Sequence, residues 1–171
     1  THILSCACIR DRDFDDIDRD IETLASLPFA VLDSGKAEQM KEAIAGAKRE
    51  GDSVGGILET AVTGLPAGVG EPWFDTLESV LSHILFSVPA VKGVEFGDGF
   101  ALADMRGSEA NDRFYIENGT VKTFTNHCGG ILGGISNGMP LLFRCAVKPT
   151  ASIYQKQNTV DFLKKENTEL Q

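Results

Sequence analysis

The chain has 171 residues, 42% of them hydrophobic, enough for one ordinary core, and a net charge of −9 from 25 acids against 16 lysines and arginines. No basic stripe advertises nucleic-acid binding, and no apolar run reaches the roughly eighteen residues of a membrane span. Cys6, Cys8, Cys128 and Cys145 form no CxxC pair and no secreted-scaffold spacing, so reduced thiols and a cytoplasmic location are expected.

The sequence opens on Thr1 and runs straight into "HILSCACIR" (2–10), which has β-strand character. Its start is too polar and its length too short for a signal peptide, and it reads as a strand within a longer protein. "RDRDFDDIDRDIE" (10–22) then sets seven carboxylates among three arginines. Asp11, Asp13, Asp15 and Glu22 carry the spacing of a calcium loop, but Asp16 stands where that loop needs glycine and Asp18 where it needs an apolar residue. The other reading is a solvated loop entering a helix, and Ile17, Ile21 and Leu24 supply the helical spacing.

"SGKAEQMKEAIAGAKREG" (34–51) is a helix capped by Asp33 or Ser34, striped by Met40, Ile44 and Ala47, and stopped at Gly51. "DSVGGILETAVTGLP" (52–66) reads as a strand, with Gly55 and Gly56 marking a bulge or close packing. Pro72 suits the first turn of a helix over about 72–87. Phe74, Leu77, Val80, Leu81, Ile84, Leu85 and Phe86 give that helix an apolar surface wide enough to be buried under antiparallel sheet on more than one side. Pro89 ends it.

Strands follow at "GVEFG", "GFALADMRG" and "DRFYIENGTVKTF", the last turning at Asn118-Gly119. "PLLFRCAV" (140–147) and "TASIYQ" (150–155) also read as strands, and the polar tail from Gln157 as frayed or partly helical. Helices between runs of hairpin strands indicate an α+β fold, antiparallel sheet packed on helices, in a single domain over 1–171.

"NHCGGILGGISNG" (126–138) holds five glycines in thirteen residues. A strand-like segment follows it, not a helix, and there is no GxGxxG register or terminal Gly-Lys-Ser/Thr, so neither nucleotide loop fits. Two readings stay open: Gly129, Gly130, Gly133 and Gly134 let backbone segments cross closely, or their main chain holds a planar or anionic ligand with Lys148, Thr150 and Ser152 nearby in sequence. His127 beside Cys128 suggests a metal site or a nucleophile–base pair. Strand neighbours point to opposite faces, however, and no second His/Cys cluster completes a ligand set, so no metal site is expected.

Five segments in order, "GDSVGG" (51–56), "GLPAGVGEPWFDTLES" (64–79), "SVPAVKGVEFGDGF" (87–100), "NHCGGILGGISNG" (126–138) and "KPTASI" (148–153), resemble the successive motifs of the chorismate synthase family. The resemblance implies a lyase that eliminates phosphate from 5-enolpyruvylshikimate-3-phosphate (EPSP) to give chorismate, using reduced FMN without net redox change. It also implies NADPH where the parent reduces its own flavin, and a homotetramer of subunits with a β-α-β sandwich core. The family's flavin-contacting positions fall on Pro89, Ala90, Gly133, Lys148, Pro149, Thr150, Ala151 and Ser152. The family's Gly-Glu-Ser-His, Ser-Ala-Arg-Glu and Gly-Arg-His-Asp-Pro motifs are not among these residues, so the chain reads as an inactive internal piece. The resemblance gives neither His83 nor His127 a catalytic role. The alternative is a structural or oligomerisation domain that keeps the fold without the chemistry, or another flavin protein.

Overall fold

The computed structural model describes residues 1–170. Its main sheet is five-stranded and antiparallel, in the order β2-β1-β3-β9-β4. The strands are β1 (His2–Cys6), β2 (Ile9–Arg10), β3 (Gly56–Val62), β4 (Val91–Phe96) and β9 (Leu141–Val147). Helices α1 (Ile17–Ala25), α2 (Ser34–Arg49), α3 (Leu77–Phe86) and the single turn α4 (Gly107–Ala110) join them. Three two-stranded hairpins complete the chain: β5 (Phe114–Glu117) with β6 (Thr120–Thr123), β7 (Ile131–Leu132) with β8 (Ile135–Ser136), and β10 (Gln157–Asp161) with β11 (Glu166–Leu170). Mixed helix and antiparallel sheet is the expected class.

Each of the three longer helices starts where a side-chain oxygen accepts an otherwise unpaired N–H. Asp16 accepts from Arg19, Asp33 from Lys36 and Thr76 from Ser79. Ala37 and Met40 carry α2 into a core shared with Cys6 and Val31, packed by Ile9, Phe29 and Val54. Ile44, expected in that stripe, lies at its exposed margin. Asn118 and Gly119 both have positive φ, the turn that their sequence predicts.

Five expectations fail. The helix read from Pro72 starts at Leu77, because Trp73 takes a φ of +71° and only a short 3₁₀ turn forms before Thr76 caps α3. Its burial is also one-sided: Leu77, Leu81 and Leu85 turn inward, while Val80, Ile84 and Phe86 stay 43%, 55% and 53% exposed. The second apolar side meets no partner among the described residues. "GFALADMRG" forms a 3₁₀ turn over Gly99–Asp104, and residues 150–155 form no strand. The tail beyond Gln157 is the hairpin β10–β11. Asp161 accepts the Leu163 and Lys164 N–H groups at its turn, so backbone pairing and an Asx turn replace the missing apolar pattern.

The acidic segment folds inward. His2, fully buried, places Nδ1 at 3.1 Å from Asp11 and Nε2 at 3.0 Å from Glu59. Glu59 accepts from Arg144 Nε at 2.7 Å, and Arg144 also reaches Glu95 and Asp13. Pairing across β1, β3, β9 and β4 aligns His2, Glu59, Arg144 and Glu95 in one cross-strand row. Asp11 further accepts the Leu32 and Asp33 N–H groups. The calcium-loop spacing is therefore spent on contacts within the chain: Asp11 holds the 31–33 loop, and Asp13 pairs with Arg10 and Arg144.

Burial works to raise the Glu59 carboxyl, but the hydrogen bonds from His2 and Arg144 outweigh it and leave it below its ordinary value. The Arg12 hydrogen bonds hold Asp20 down at about 2. An unfolded aspartate titrates near ~3.9. Between those values the unfolded chain binds more protons than the folded one, so stability rises with pH. Resistance to urea should therefore weaken as pH falls from about 4 towards 2. Asp20→Asn should be less stable at neutral pH and lose less on acidification; a variant with the parent's full slope would refute the assignment.

Candidate functional site

The glycine segment is gripped at its start by Asp112, buried between α4 and β5. One carboxylate oxygen accepts Thr125 Oγ1 at 2.7 Å and the His127 N–H at 2.8 Å; the other accepts the Cys128 N–H at 2.9 Å. Burial tends to raise this carboxyl, but the bonds from Cys128, Thr125 and His127 hold it below its ordinary value. Residues 127–130 are a turn, closed by the Gly129 N–H on the Asn126 carbonyl. The strand argument that separated His127 from Cys128 therefore does not hold here.

Both readings of the glycines find support in this geometry. A Cβ on Gly129 would strike Gly97 N and Leu142 O, and one on Gly134 would strike Glu71 O and Thr76. Those glycines serve close backbone approach. Gly133 differs: it has a φ of +61° in the β7–β8 turn, and a Cβ there would meet nothing within 4 Å. The hairpin is fixed from behind, where Ser136 Oγ donates to Pro66 O and accepts the Val69 N–H, and the Leu77 N–H donates to Gly134 O. Gly133 thus presents bare backbone beside the start of α3.

At the other end of α3 the sheet brings two more predicted segments together. Val91 pairs with Val147, which sets Ala90 against Lys148, and the Lys148 N–H donates to the Ala90 carbonyl at 2.9 Å. Ala90 has a φ of +73°, a strained value for a residue with a Cβ. Pro89, Lys148, Pro149, Thr150, Ala151 and Ser152 are exposed. Ser53 Oγ donates to Thr150 O at 2.6 Å, and Pro149 lies against Gly55, so residues 53–55 anchor this stretch. Lys148 makes no ion pair among the described residues. Ten-residue α3 rises about 15 Å, so the predicted residues form two groups, 89–90 with 148–152 at one end and Gly133 at the other.

The supporting residues Asp112, Ser53 and Asp98 were missed by sequence reasoning, because an isolated Asp or Ser in a loop looks like ordinary solvated surface. Asp98 between Gly97 and Gly99 was the one available signal. It clasps His127 twice, its N–H on the His127 carbonyl at 2.8 Å and its carboxylate on Nδ1. An open groove of about 880 Å³ runs between the β5–β6 and β7–β8 hairpins, lined by Phe114, Val121, Leu132, Ile135 and Asn137. Three buried polar atoms lack a hydrogen-bond partner among the described residues: Glu78 Oε2, Asn126 Oδ1 and Asn137 Nδ2. All belong to the glycine segment or to the first turn of α3.

The family model described as chorismate synthase matches residues 3–171. A chorismate synthase of Methanosarcina acetivorans is 49% identical over 171 residues, covering 99% of this chain and 46% of the relative. One from Thermococcus gammatolerans is 53% identical over 138 residues, covering 81% of this chain and 39% of the relative. A solved structure, described as the crystal structure of chorismate synthase, superposes with a TM-score of 0.79 at 29% identity, over 86% of this chain and 48% of that one. The chain spans about half the length of the curated relatives it matches. Matched along nearly its whole length in sequence and over most of it in fold, the chain belongs to the chorismate synthase family.

Proposed function

We propose that this chain is part of a chorismate synthase, a carbon–oxygen lyase that removes phosphate from EPSP by 1,4-anti elimination with reduced FMN. The observation that carries the reading is the family match from residue 3 onward. The location is cytoplasmic and the working form a homotetramer; NADPH takes part only where the parent reduces its own flavin.

The group around Ala90 and Lys148 fits one edge of a reduced flavin, and Gly133 lies at the other end of α3. Lys148 offers an ammonium without an internal carboxylate partner, and the Thr150 and Ser152 hydroxyls make no hydrogen bond among the described residues. Gly133 leaves its backbone open to close approach. The orphaned polar atoms of Glu78, Asn126 and Asn137 lie in the same glycine and α3 region. When bound, reduced FMN would supply electron density to the substrate as phosphate departs, with no net redox change. In this reading Lys148 offsets anionic charge at the cofactor, and Thr150 or Ser152 hydrogen-bonds to its polar edge. Pro89, Ala90, Pro149 and Ala151 shape the wall through main chain, and Gly133 admits the ligand where a side chain would stand.

The fold already uses several of the cations that a phosphate and two carboxylates would require. Of its seven arginines, Arg10, Arg12 and Arg144 already pair with carboxylates, and Arg113 lies over the Phe124 ring. The outward apolar side of α3 gives the alternative, a structural or oligomerisation domain, one specific observation in its favour.

Two experiments test the reading. With chemically reduced FMN under anaerobic conditions, the 171-residue chain should form no chorismate from EPSP; turnover near that of an intact relative would overturn the view of it as an inactive piece. In the whole polypeptide, Lys148→Ala should weaken reduced-FMN binding by about 1.5–3 kcal/mol, roughly ten- to a hundredfold, and the loss should shrink in high salt. Gly133→Val should block the cofactor with little salt dependence. Gly133→Ala carries the same backbone strain with less bulk, and separates strain from obstruction. Unchanged affinity in all three would overturn the flavin reading of Lys148 and Gly133 and leave Gly129 and Gly134 their close backbone approach.

A further inference from the structure

His2 opens β1 with its side chain fully buried, and each of its ring nitrogens faces a carboxylate oxygen. Nδ1 lies 3.1 Å from Asp11 Oδ2 and Nε2 lies 3.0 Å from Glu59 Oε2, while the Phe14 ring packs against the imidazole at 4.7 Å between centroids. Both carboxylates act as acceptors. Asp11 takes the Leu32 N–H on Oδ2 and the Asp33 N–H on Oδ1. Glu59 takes Arg144 Nε on Oε1. Burial works to raise the Glu59 carboxyl, and the bonds from His2 and Arg144 still keep it below its ordinary value.

A neutral imidazole has one N–H and one lone pair. Set between these two groups, its lone pair would stand against a carboxylate oxygen at hydrogen-bond distance, whereas an imidazolium donates on both sides. The surrounding charges favour the second form. Asp11 from the loop after β2, Glu59 from β3 and Asp20 from α1 all place negative charge around His2. Beyond them Arg12 pairs with Asp20, and Arg144 from β9 pairs with Glu59 and is shared with Glu95 and Asp13. Asp11, its side chain fully buried, makes no ion pair except with His2 among the described residues. An uncharged His2 would leave that carboxylate buried without a cation, which is the costly case.

We propose that His2 holds both ring protons in the folded protein and acts as a proton-operated latch, fastening the 11–33 segment to β3 through Asp11 and Glu59 and releasing it when one proton is lost. The step is a single deprotonation: one ring proton passes to solvent, and the lone pair it leaves turns on a carboxylate. Glu59 stays held by Arg144, so the contact that opens is the one to Asp11. Its opening frees the Leu32 and Asp33 N–H groups and loosens the start of α2, where Asp33 accepts the Lys36 N–H. The latched chain binds one proton more than an unfolded chain with a neutral histidine. Its stability therefore falls as pH rises through the loss of that proton, the opposite sense to the acid-side loss at Asp20.

Two measurements on the whole polypeptide, labelled with ¹⁵N-histidine, test the latch. At about pH 7.5 an ordinary histidine, titrating near ~6.5, has lost its second proton. His2, identified by its cross-relaxation with the Phe14 ring, should still show both ring nitrogens protonated; a single ring N–H at that pH overturns the proposal. On raising the pH until the second N–H disappears, hydrogen-exchange protection of the Leu32 and Asp33 amides, with the chemical exchange rate divided out, should fall about tenfold or more. Protection that stays constant through the loss of that proton would make the ring a passive spacer and overturn the latch. Glu59→Gln keeps the shape and can accept from Arg144 while donating its amide N–H to Nε2, so one ring proton suffices. In that variant His2 should be protonated on Nδ1 alone and the pH dependence at Leu32 and Asp33 should vanish. Two ring protons with the parent's pH dependence retained would also overturn the assignment.

Discussion

The register of β9 is the constraint on which the other features depend, and Arg144 at its centre holds that register. Arg144 binds Glu59 on β3 and reaches Glu95 on β4, while Phe143 and Cys145 beside it point into the apolar side. A slip of one residue would put the guanidinium among apolar groups and Phe143 among carboxylates. Removing one partner of a buried pair typically costs about 3–5 kcal/mol, because the other charge is left uncompensated. His2 and Asp11 extend the same row to the edge of the sheet, which is how a segment with seven carboxylates comes to lie against the body of the protein.

That register sets both halves of the candidate site. At the start of β9, the Leu142 N–H donates to Gly129 O and the Gly97 N–H to Leu142 O, locking the glycine turn against the end of β4. At its other end Val147 pairs with Val91 and sets Lys148 on Ala90. A seven-residue strand extends roughly 23 Å, so one rigid element fixes two distant groups without any side chain passing between them. The strain at Ala90 is local to a junction that the sheet over-determines, which is the setting in which such strain persists.

Much of this architecture was legible in the residues. The Asn118-Gly119 turn, the cap of α2 and the strand character of "PLLFRCAV" are local signals, and local physics decided them. What escaped was decided by distant partners. Nothing in the β10–β11 sequence is apolar in alternation, so its pairing left no pattern to read. Trp73 has no local reason to adopt a positive φ, and its bend moved the start of α3 by several residues. The candidate site was less legible. Ala90 and Lys148 are far apart in sequence and meet only through β-sheet register, so the family resemblance, not spacing, linked them. The glycine stretch announced close backbone approach but could not say which glycine was free; Gly133 stands out only once the neighbours of Gly129, Gly130 and Gly134 are known.

The one-sided burial of α3 leaves an apolar face beside the candidate site. Its inner side rests on β4 and carries Gly133 near its first turn and Ala90 just past its last. Its outer side shows Val80, Ile84 and Phe86, continued by the almost fully exposed Trp73 and Phe74. Contiguous apolar surface of this kind marks a contact face in soluble proteins. A surface covering it would press the helix towards β4 and stiffen the spacing between the two groups at its ends. Short of that cover, α3 is held by one side only, through Leu77, Leu81 and Leu85. The geometry of the candidate flavin wall and the contacts on the far side of α3 are therefore coupled through a single ten-residue helix, and a change to the outer residues should be felt at Gly133 and Ala90 although it touches neither.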